Sequence, residues 1–367
     1  MRVLQATTAR GWSGGTEQCL LLAKYMNKLG VETHILTLKE TELERRAKTL
    51  GIEVVNFPNT RKFSLSEAKK LAKVLESYDV VNTHISKAHW WVWSSSFFTK
   101  KRPILVYSRR VPFKISLASR LTKYNLRTDG IVAVSPQIHD YLKKTPFLGK
   151  KVRYIPSGVE LERFNPQKVK SEIRKELGIE EGALLILNVA NYSEVKGHHV
   201  LLPAFKDFLR RNPKLKAYLL LAGRDTDSEE AKLEIEKLGL KGKVIPLGFR
   251  KDVPQLLKGA DLFVFPSLKE GIAGSLLQAM AMEKTVVTSL VGGIKSYLKD
   301  GLNGIGVEPG SIESLVEGME RGVKEIGNEK MKEEARRTAA QFDIKRVAEK
   351  TLEFYKELLN EKRLSRV

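Results

Sequence analysis

The stretch Asp261–Gly301, DLFVFPSLKEGIAGSLLQAMAMEKTVVTSLVGGIKSYLKDG, decides the fold. LFVF is an apolar run of strand length, and Pro266 ends it because proline has no N–H to offer a paired strand. A loop, Ser267–Ala273, leads to a helix predicted from about Gly274 and Ser275, and SLLQAMAM is rich in helix formers. TVVTS is the next short strand, and Gly292-Gly293 open the loop behind it. Strand, loop, helix, strand and Gly-rich loop make one βαβ unit of a parallel sheet. Its ligand edge carries Glu270, the backbone amides of Gly271, Ile272, Ala273, Gly274 and Ser275, and a flexible Gly292-Gly293 turn. Free amides at a helix N-terminus suit a phosphate or an electron-rich sugar oxygen. An ordinary βαβ unit, with glycines that only make tight turns, has the same pattern.

Outward from this unit, strands and helices keep alternating. ALLILNVANYSEVKGHHVLLPAF is a buried strand ending near Ala190, then a loop in which Lys196-Gly197 begin a helix. In the first half, MRVLQATT is a strand and GWSGGTEQCLLLAKYMNKLG a loop running into a helix, with Thr16 the expected N-cap. Gly14-Gly15 would let a substrate approach the backbone and meet that helix N-terminus. The dinucleotide fingerprint G-x-G-x-x-G is absent, which weighs against a dehydrogenase. VETHILTL, IEVVNFP and DVVNTHIS continue the strands, separated by helical segments around 41–49 and 64–77. PILVYSRRVPF is a strand ending in Ser108-Arg109-Arg110, and DGIVAVS is another. The alternation predicts doubly wound parallel sheets. His84 ends a strand, where ligands collect in open α/β sheets, although a lone His there also reads as a satisfied structural residue.

At 367 residues the chain suggests two domains, and 42% hydrophobic with 29% charged residues is a soluble globular composition. A lone Cys19 excludes an internal disulfide and a multi-cysteine zinc site; it fits a reducing, cytoplasmic setting and reads as core rather than reactive. No signal peptide is expected, and no apolar run approaches the roughly 18 residues that span a bilayer. The net charge of +21 is uneven: residues 1–165 hold 29 Lys+Arg against 13 Asp+Glu. Such an excess implies a local anionic partner, for which lipid surface, phosphorylated glycan and nucleic acid are candidates. No nucleic-acid motif supports the last. AHWWVWSSSFFTKKRP places Trp90, Trp91, Trp93, Phe97 and Phe98 together before basic residues. It reads mainly as a buried helix covering the sheet, with an interfacial aromatic patch as the alternative. FKISLASRLTKYNLR places Phe113, Leu117, Leu121 and Tyr124 on one helical face, beside Lys114, Arg120, Lys123 and Arg127. A peripheral contact with an anionic membrane and a plain core-facing helix share that period.

PSLKEGIAGSLLQAMA followed by VVTSLVGGI resembles the donor-binding signature of retaining glycosyltransferases of family 4, and the resemblance extends over nearly the whole chain. It implies the GT-B fold: two Rossmann-like domains facing a central cleft, with a C-terminal helix, QFDIKRVAEKTLEFYKELLNEKRL, crossing back to the first domain. The expected division is 1–165 with about 345–367 for the acceptor side and 166–344 for the nucleotide-sugar side. The linker would follow Phe164, near Pro166, after KVRYIPSGVELERF. By resemblance Glu270 meets the sugar hydroxyls and Lys196 the donor diphosphate. Gly14, Gly15, Asn191, Gly248, Arg250, Val253, Gly271, Ile272, Ala273, Gly274, Ser275, Leu276, Gln278 and Gly293 surround the donor. His84, Arg109 and Arg110 lie on the acceptor side. Three departures stand out: Gln278 where relatives have Glu, no Arg near Asn191, and Arg110 near where many relatives have His. The last suggests a more anionic substrate.

The resulting expectation is a metal-independent enzyme moving a hexose- or heptose-like sugar from a nucleotide diphosphate to a glycan or lipid-linked acceptor, with no cofactor. No D-x-D pair or clustered His suits a divalent ion. Alternatives are a non-enzymatic glycan-binding relative, with Gln278 marking a lapsed site, and a GT-B nucleotide-sugar epimerase.

Overall fold

Short runs rich in Val, Ile and Leu, each followed by a helix, fold into two fully parallel sheets, because only crossovers that return over the sheet allow consecutive parallel strands. The computed structural model describes residues 1–58, 64–110 and 114–364. It divides into one unit of Met1–Gly158 with the chain from Ile344 onward, and a second of Val159–Asp343. The passage between them falls at Gly158, earlier than the sequence places it. The reason is Phe164, whose ring is buried in the core of the second unit with Val159, Phe263 and Phe342.

The first unit contains β1 (Arg2–Ala6), β2 (Glu32–Thr37), β3 (Val54–Asn56), β4 (Val80–Thr83), β5 (Ile104–Arg109), β6 (Gly130–Ala133) and β7 (Val152–Tyr154). They lie in the order β3-β2-β1-β4-β5-β6-β7. Chain order reverses between β1 and β4, so the loops leaving those strands diverge to opposite faces and leave a crevice at their carboxyl ends. The helix Ile344–Leu364 belongs to this unit. It buries Ile344, Val347, Ala348, Thr351, Phe354, Tyr355 and Leu358, an i, i+3, i+4, i+7 stripe, in a core shared with Leu21, Leu22, Tyr25 and Met26 of the helix Gly14–Lys28.

The second unit contains β8 (Leu184–Val189), β9 (Ala217–Ala222), β10 (Val244–Gly248), β11 (Leu262–Phe265), β12 (Thr285–Ser289) and β13 (Ile305–Val307), ordered β10-β9-β8-β11-β12-β13. Here the reversal lies between β8 and β11. LFVF is β11, wholly buried between β8 and β12, and SLLQAMA lies in the helix Gly274–Ala281.

Local expectations change in four places. Ser13, not Thr16, caps the first helix: its backbone is extended and its hydroxyl accepts from the Thr16 amide, while the Thr16 hydroxyl accepts from the Ser13 amide at 2.7 Å. Gly14 and Gly15 therefore form the first helical turn. Gly292-Gly293 begin a short 3-10 helix, Gly292–Ser296, instead of a loop. The helix expected across 113–127 shrinks to Leu117–Leu121; Leu117 and Leu121 are exposed, whereas Tyr124 is buried against His89 and Tyr107. Phe113 lies outside the described residues. In the aromatic segment, Trp91 is buried within the helix Ser86–Ser95, while Phe97 and Phe98, in the short 3-10 helix Ser96–Phe98 that follows, are exposed.

Candidate functional site

In the second unit, the loops after β8 and β11 leave the two sides of the strand-order reversal. The Lys196 ammonium meets Glu270 Oε1 at 2.5 Å, and the Ser267 hydroxyl lies 2.7 Å from the same oxygen. The loops are also joined along their backbones, since the Leu268 amide donates to the Val195 carbonyl at 2.8 Å. Gly197 makes that approach possible. Its φ is +75°, and a Cβ there would come within 2.1 Å of the Pro266 carbonyl oxygen. Glu270 is nearly buried and Lys196 partly exposed, at 9% and 30% of their side-chain surface. The carboxylate is therefore the fixed member of the pair and the ammonium the mobile one.

The helix Gly274–Ala281 begins beside this loop, with Ala273 at its N-cap and no side-chain hydrogen bond there. Its first amides are thus available to an incoming acceptor. A Cβ on Gly274 would touch nothing within 4 Å, so the space over that terminus is open. Gly292 and Gly293 lie against the carbonyls of Glu270 and Gly271, where added Cβ atoms would fall at 1.9 and 1.7 Å. These glycines buttress the Glu270 loop, a role different from the flexible turn expected. Gln278 is half-buried one turn along the helix, and Leu276 is in the core.

The remaining donor-side candidates spread along the same sheet edge. Asn191 Oδ1 accepts from the Arg224 amide at 3.2 Å, tying the loops after β8 and β9; the Arg224 side chain is exposed. Gly248 ends β10, with φ +63° and Asp227 directly over it. Arg250 is already compensated: its guanidinium forks onto Asp252 at 2.7 and 2.8 Å and reaches Glu176 at 2.9 Å, contacts that push its pKa up. Val253 starts a helix and packs on the core.

In the first unit the acceptor-side candidates form a connected polar layer at the sheet's carboxyl edge. Arg110, just past β5, donates to Ser157 Oγ at 2.8 Å and to His84 Nδ1 at 3.0 Å. Because Arg110 can only donate, His84 Nδ1 accepts and its proton sits on Nε2, 2.8 Å from Gln5 Oε1. Burial, then the Arg110 charge, hold the His84 pKa well below its ordinary value, so the ring is neutral. Asn82 Nδ2 donates to the same Gln5 oxygen at 3.0 Å, and Ser108 donates to Asn82 Oδ1 at 2.9 Å. Arg109 is buried at the end of β5. Gly15 abuts Arg110, whose Cδ would lie 3.6 Å from a Cβ on the glycine. Gln18 of the same helix clamps Gly158 through both amide atoms, at 2.6 and 2.7 Å.

Sequence reasoning missed Ser267, Ser157, Gln5, Asn82 and Gln18. Ser267 follows the strand-ending proline three residues before Glu270, a local signal; the others are joined only by the fold. Among the described residues no group of three His, Cys, Asp or Glu side chains stands at metal-ligand spacing.

The family model described as Glycosyltransferase Family 4 matches residues 12–163, and that described as Glycosyl transferases group 1 matches residues 169–338. An Escherichia coli UDP-Gal:alpha-D-GlcNAc-diphosphoundecaprenol alpha-1,3-galactosyltransferase is 25% identical over 281 residues, 70% of this chain and 69% of its own. The alpha-monoglucosyldiacylglycerol synthase of Streptococcus pneumoniae is 24% identical over 302 residues, 70% of this chain and 67% of its own. Among solved structures, a glycosyltransferase from Rickettsia africae superposes with TM-score 0.85 at 22% identity, covering 98% of both chains. Anabaena HepE, crystallised with UDP and glucose, superposes with TM-score 0.84 at 20% identity, covering 97% of this chain and all of its own. The chain belongs to the group 1, family 4 glycosyltransferases, and its two Rossmann-like units are those of the GT-B fold.

Proposed function

We propose that the chain transfers a hexose- or heptose-like sugar, with retention of configuration, from a nucleotide diphosphate to a glycan or lipid-linked acceptor of the cell envelope. The observation that carries this reading is the Lys196–Glu270 pair beside the uncapped N-terminus of Gly274–Ala281. Glu270 neutralises Lys196. A diphosphate brings more negative charge than one carboxylate and draws the ammonium away. Glu270, still held by Ser267, then accepts hydrogen bonds from sugar hydroxyls. As the bond from the anomeric carbon to the phosphate oxygen breaks, Lys196 and the helix amides offset the charge gathering on the leaving phosphate. The acceptor hydroxyl bonds to the same face of the anomeric carbon and gives its proton to that phosphate, so no protein nucleophile is required. Charge stabilisation by Lys196 and amides leaves no step to a metal, and chelation is expected to leave turnover unchanged.

The UDP and glucose in the Anabaena structure support a nucleotide-sugar donor, and the lipid-linked substrate named for the Escherichia coli relative supports such an acceptor. Exposed Phe97, Phe98, Leu117, Leu121 and Leu126 among basic residues fit peripheral contact with anionic lipid. No helix among the described residues is long and apolar enough to cross a membrane. Binding to negatively charged vesicles should weaken as salt rises; no binding at low salt removes the lipid contact. The test of the function itself is a panel of nucleotide sugars assayed for thermal protection and turnover. One donor should do both; protection without turnover would leave a binding protein.

A further inference from the structure

The loop that carries Lys196 is short and largely exposed, yet its two ends are tied to different parts of the second unit. At the far end it meets the Glu270 loop through the Val195 carbonyl, which accepts from the Leu268 amide at 2.8 Å and from the Ser267 hydroxyl at 3.0 Å. At the near end stands Tyr192, where the chain leaves the sheet. The Ala190 and Tyr192 amides still donate to the Ala222 and Arg224 carbonyls, on and just past β9, at 2.9 and 2.8 Å. Ser193, Glu194 and Val195, between the two ends, are exposed.

Tyr192 is held from two sides. Its phenol donates to Glu234 of the helix Glu229–Lys237, and its ring lies on the buried His198 imidazole, with 4.7 Å between centroids. Burial, then the bond to Glu234, push the Tyr192 pKa up, so the phenol keeps the proton it donates. His198 in turn reaches Ser193. Its Nδ1 lies 3.3 Å from the Ser193 carbonyl oxygen and 3.4 Å from the Ser193 amide nitrogen, so either tautomer has a partner on that residue. The same carbonyl accepts from the Lys196 amide at 3.1 Å, and the Glu194 carbonyl accepts from the Gly197 amide at 2.8 Å, which closes the 3-10 turn Glu194–Lys196. Contacts therefore run unbroken from Glu234 through Tyr192, His198 and Ser193 to the backbone of Lys196.

We propose that Tyr192 is a positioning residue for the transfer: without touching substrate, it fixes the turn that aims the Lys196 ammonium at the leaving phosphate. This rests on the reading above, in which Lys196 offsets the charge gathering on that phosphate. An ammonium is a point charge on a flexible stem, and its worth to a transition state depends on its being in place before the charge develops. Glu270 cannot supply that direction, since the diphosphate draws Lys196 away from it. The direction comes from the turn, and the turn is anchored by Tyr192.

The test is a double-mutant cycle in the full chain, assayed with the nucleotide sugar it turns over. Tyr192→Phe keeps the ring on His198 and loses the bond to Glu234. Its turnover should fall by about tenfold, the scale of one lost hydrogen bond to a charged group, with the donor Michaelis constant within about threefold. Glu234→Gln, whose amide oxygen still accepts from the phenol, should stay within about threefold of wild type. In Lys196→Ala, adding Tyr192→Phe should cost nothing further, because the two residues act as one unit. An equal loss in that background overturns the proposal, as does unchanged turnover of Tyr192→Phe in the wild-type background. Equal turnover of Lys196→Ala and wild type, or turnover with no donor, would instead strike the donor reading. The hold on Lys196 is then decided without substrate. In Tyr192→Ala the Lys196 and Gly197 amides should exchange with solvent about tenfold faster than in wild type, and unchanged exchange there overturns the proposal.

Discussion

The two units place a cation at the carboxyl edge of a doubly wound sheet and treat it in opposite ways. In the second unit, Lys196 and Glu270 neutralise one another across loops on either side of the strand-order reversal. In the first, Arg110 has only neutral partners among the described residues, Ser157 and His84, and the layer behind it, from His84 through Gln5 and Asn82 to Ser108, carries no charge. An ion pair must be opened by its ligand, so its site discriminates by how much charge the ligand brings. An uncompensated cation is ready for any anion that fits, and its site discriminates by shape.

The sharpest way to break this comparison is Lys196→Ala. Loss of a desolvated, charge-assisted contact is worth about 2–4 kcal/mol in the transition state, so turnover should fall by about two orders of magnitude. The unfolding midpoint should barely move, because Glu270 keeps Ser267 as a partner. Unchanged kinetics at subsaturating donor would assign Lys196 to the surface. Glu270→Gln should lower turnover about tenfold while keeping the Ser267 contact, since an amide replaces the charged acceptor for sugar hydroxyls. A raised Michaelis constant at unchanged turnover would make Glu270 a binding residue only.

Acid separates the units by a different route. His84 and His89 in the first unit are buried neutral, His89 with its pKa near 3; His198 in the second is lowered to about 4. Each imidazole takes up a proton on unfolding once pH drops below about 6.5, the ordinary unfolded value, and does so without a matching gain in the folded state. Their stability is thus complete above that value and is lost as pH falls. Between pH 7 and 5, His89 and His198 should each cost about 2 kcal/mol. Replacing His89 by Gln should flatten the dependence of unfolding free energy on pH by one proton's worth; an identical slope would show that His89 titrates normally.

Smallest in effect is Gln278→Glu. If the Gln at this position forgoes charge assistance to a donor hydroxyl, restoring the acid gains about 1–2 kcal/mol, or ten- to thirtyfold in donor affinity, with saturated turnover similar. Weaker donor binding in that variant would mean the site is tuned to a neutral side chain.

Much of the second unit was legible because its signals are local. LFVF, the proline behind it, and GSLLQAMA specify strand, stop and helix within twenty residues, and the family motif names Glu270. What joined Glu270 to Lys196, 74 residues away, was strand order, which no local pattern states. Arg250 shows the same limit: its position was visible, but not the two acids that compensate it. In the first unit the strands and His84 were readable, yet the Arg110 environment depends on Ser157 and Gln5, brought in from opposite ends of the unit. The cap was misplaced because Ser13 and Thr16 are both good capping residues, and only the backbone angles decide between them.

The claim that the donor sits on the Lys196–Glu270 edge is tested most directly by amide hydrogen exchange with and without the nucleotide sugar that the protein turns over. Exchange should slow at residues 271–276 and around 194–197, where the open helix terminus and the Lys196 loop meet the diphosphate. Slowing confined to the first unit, with those amides unaffected, would contradict the account.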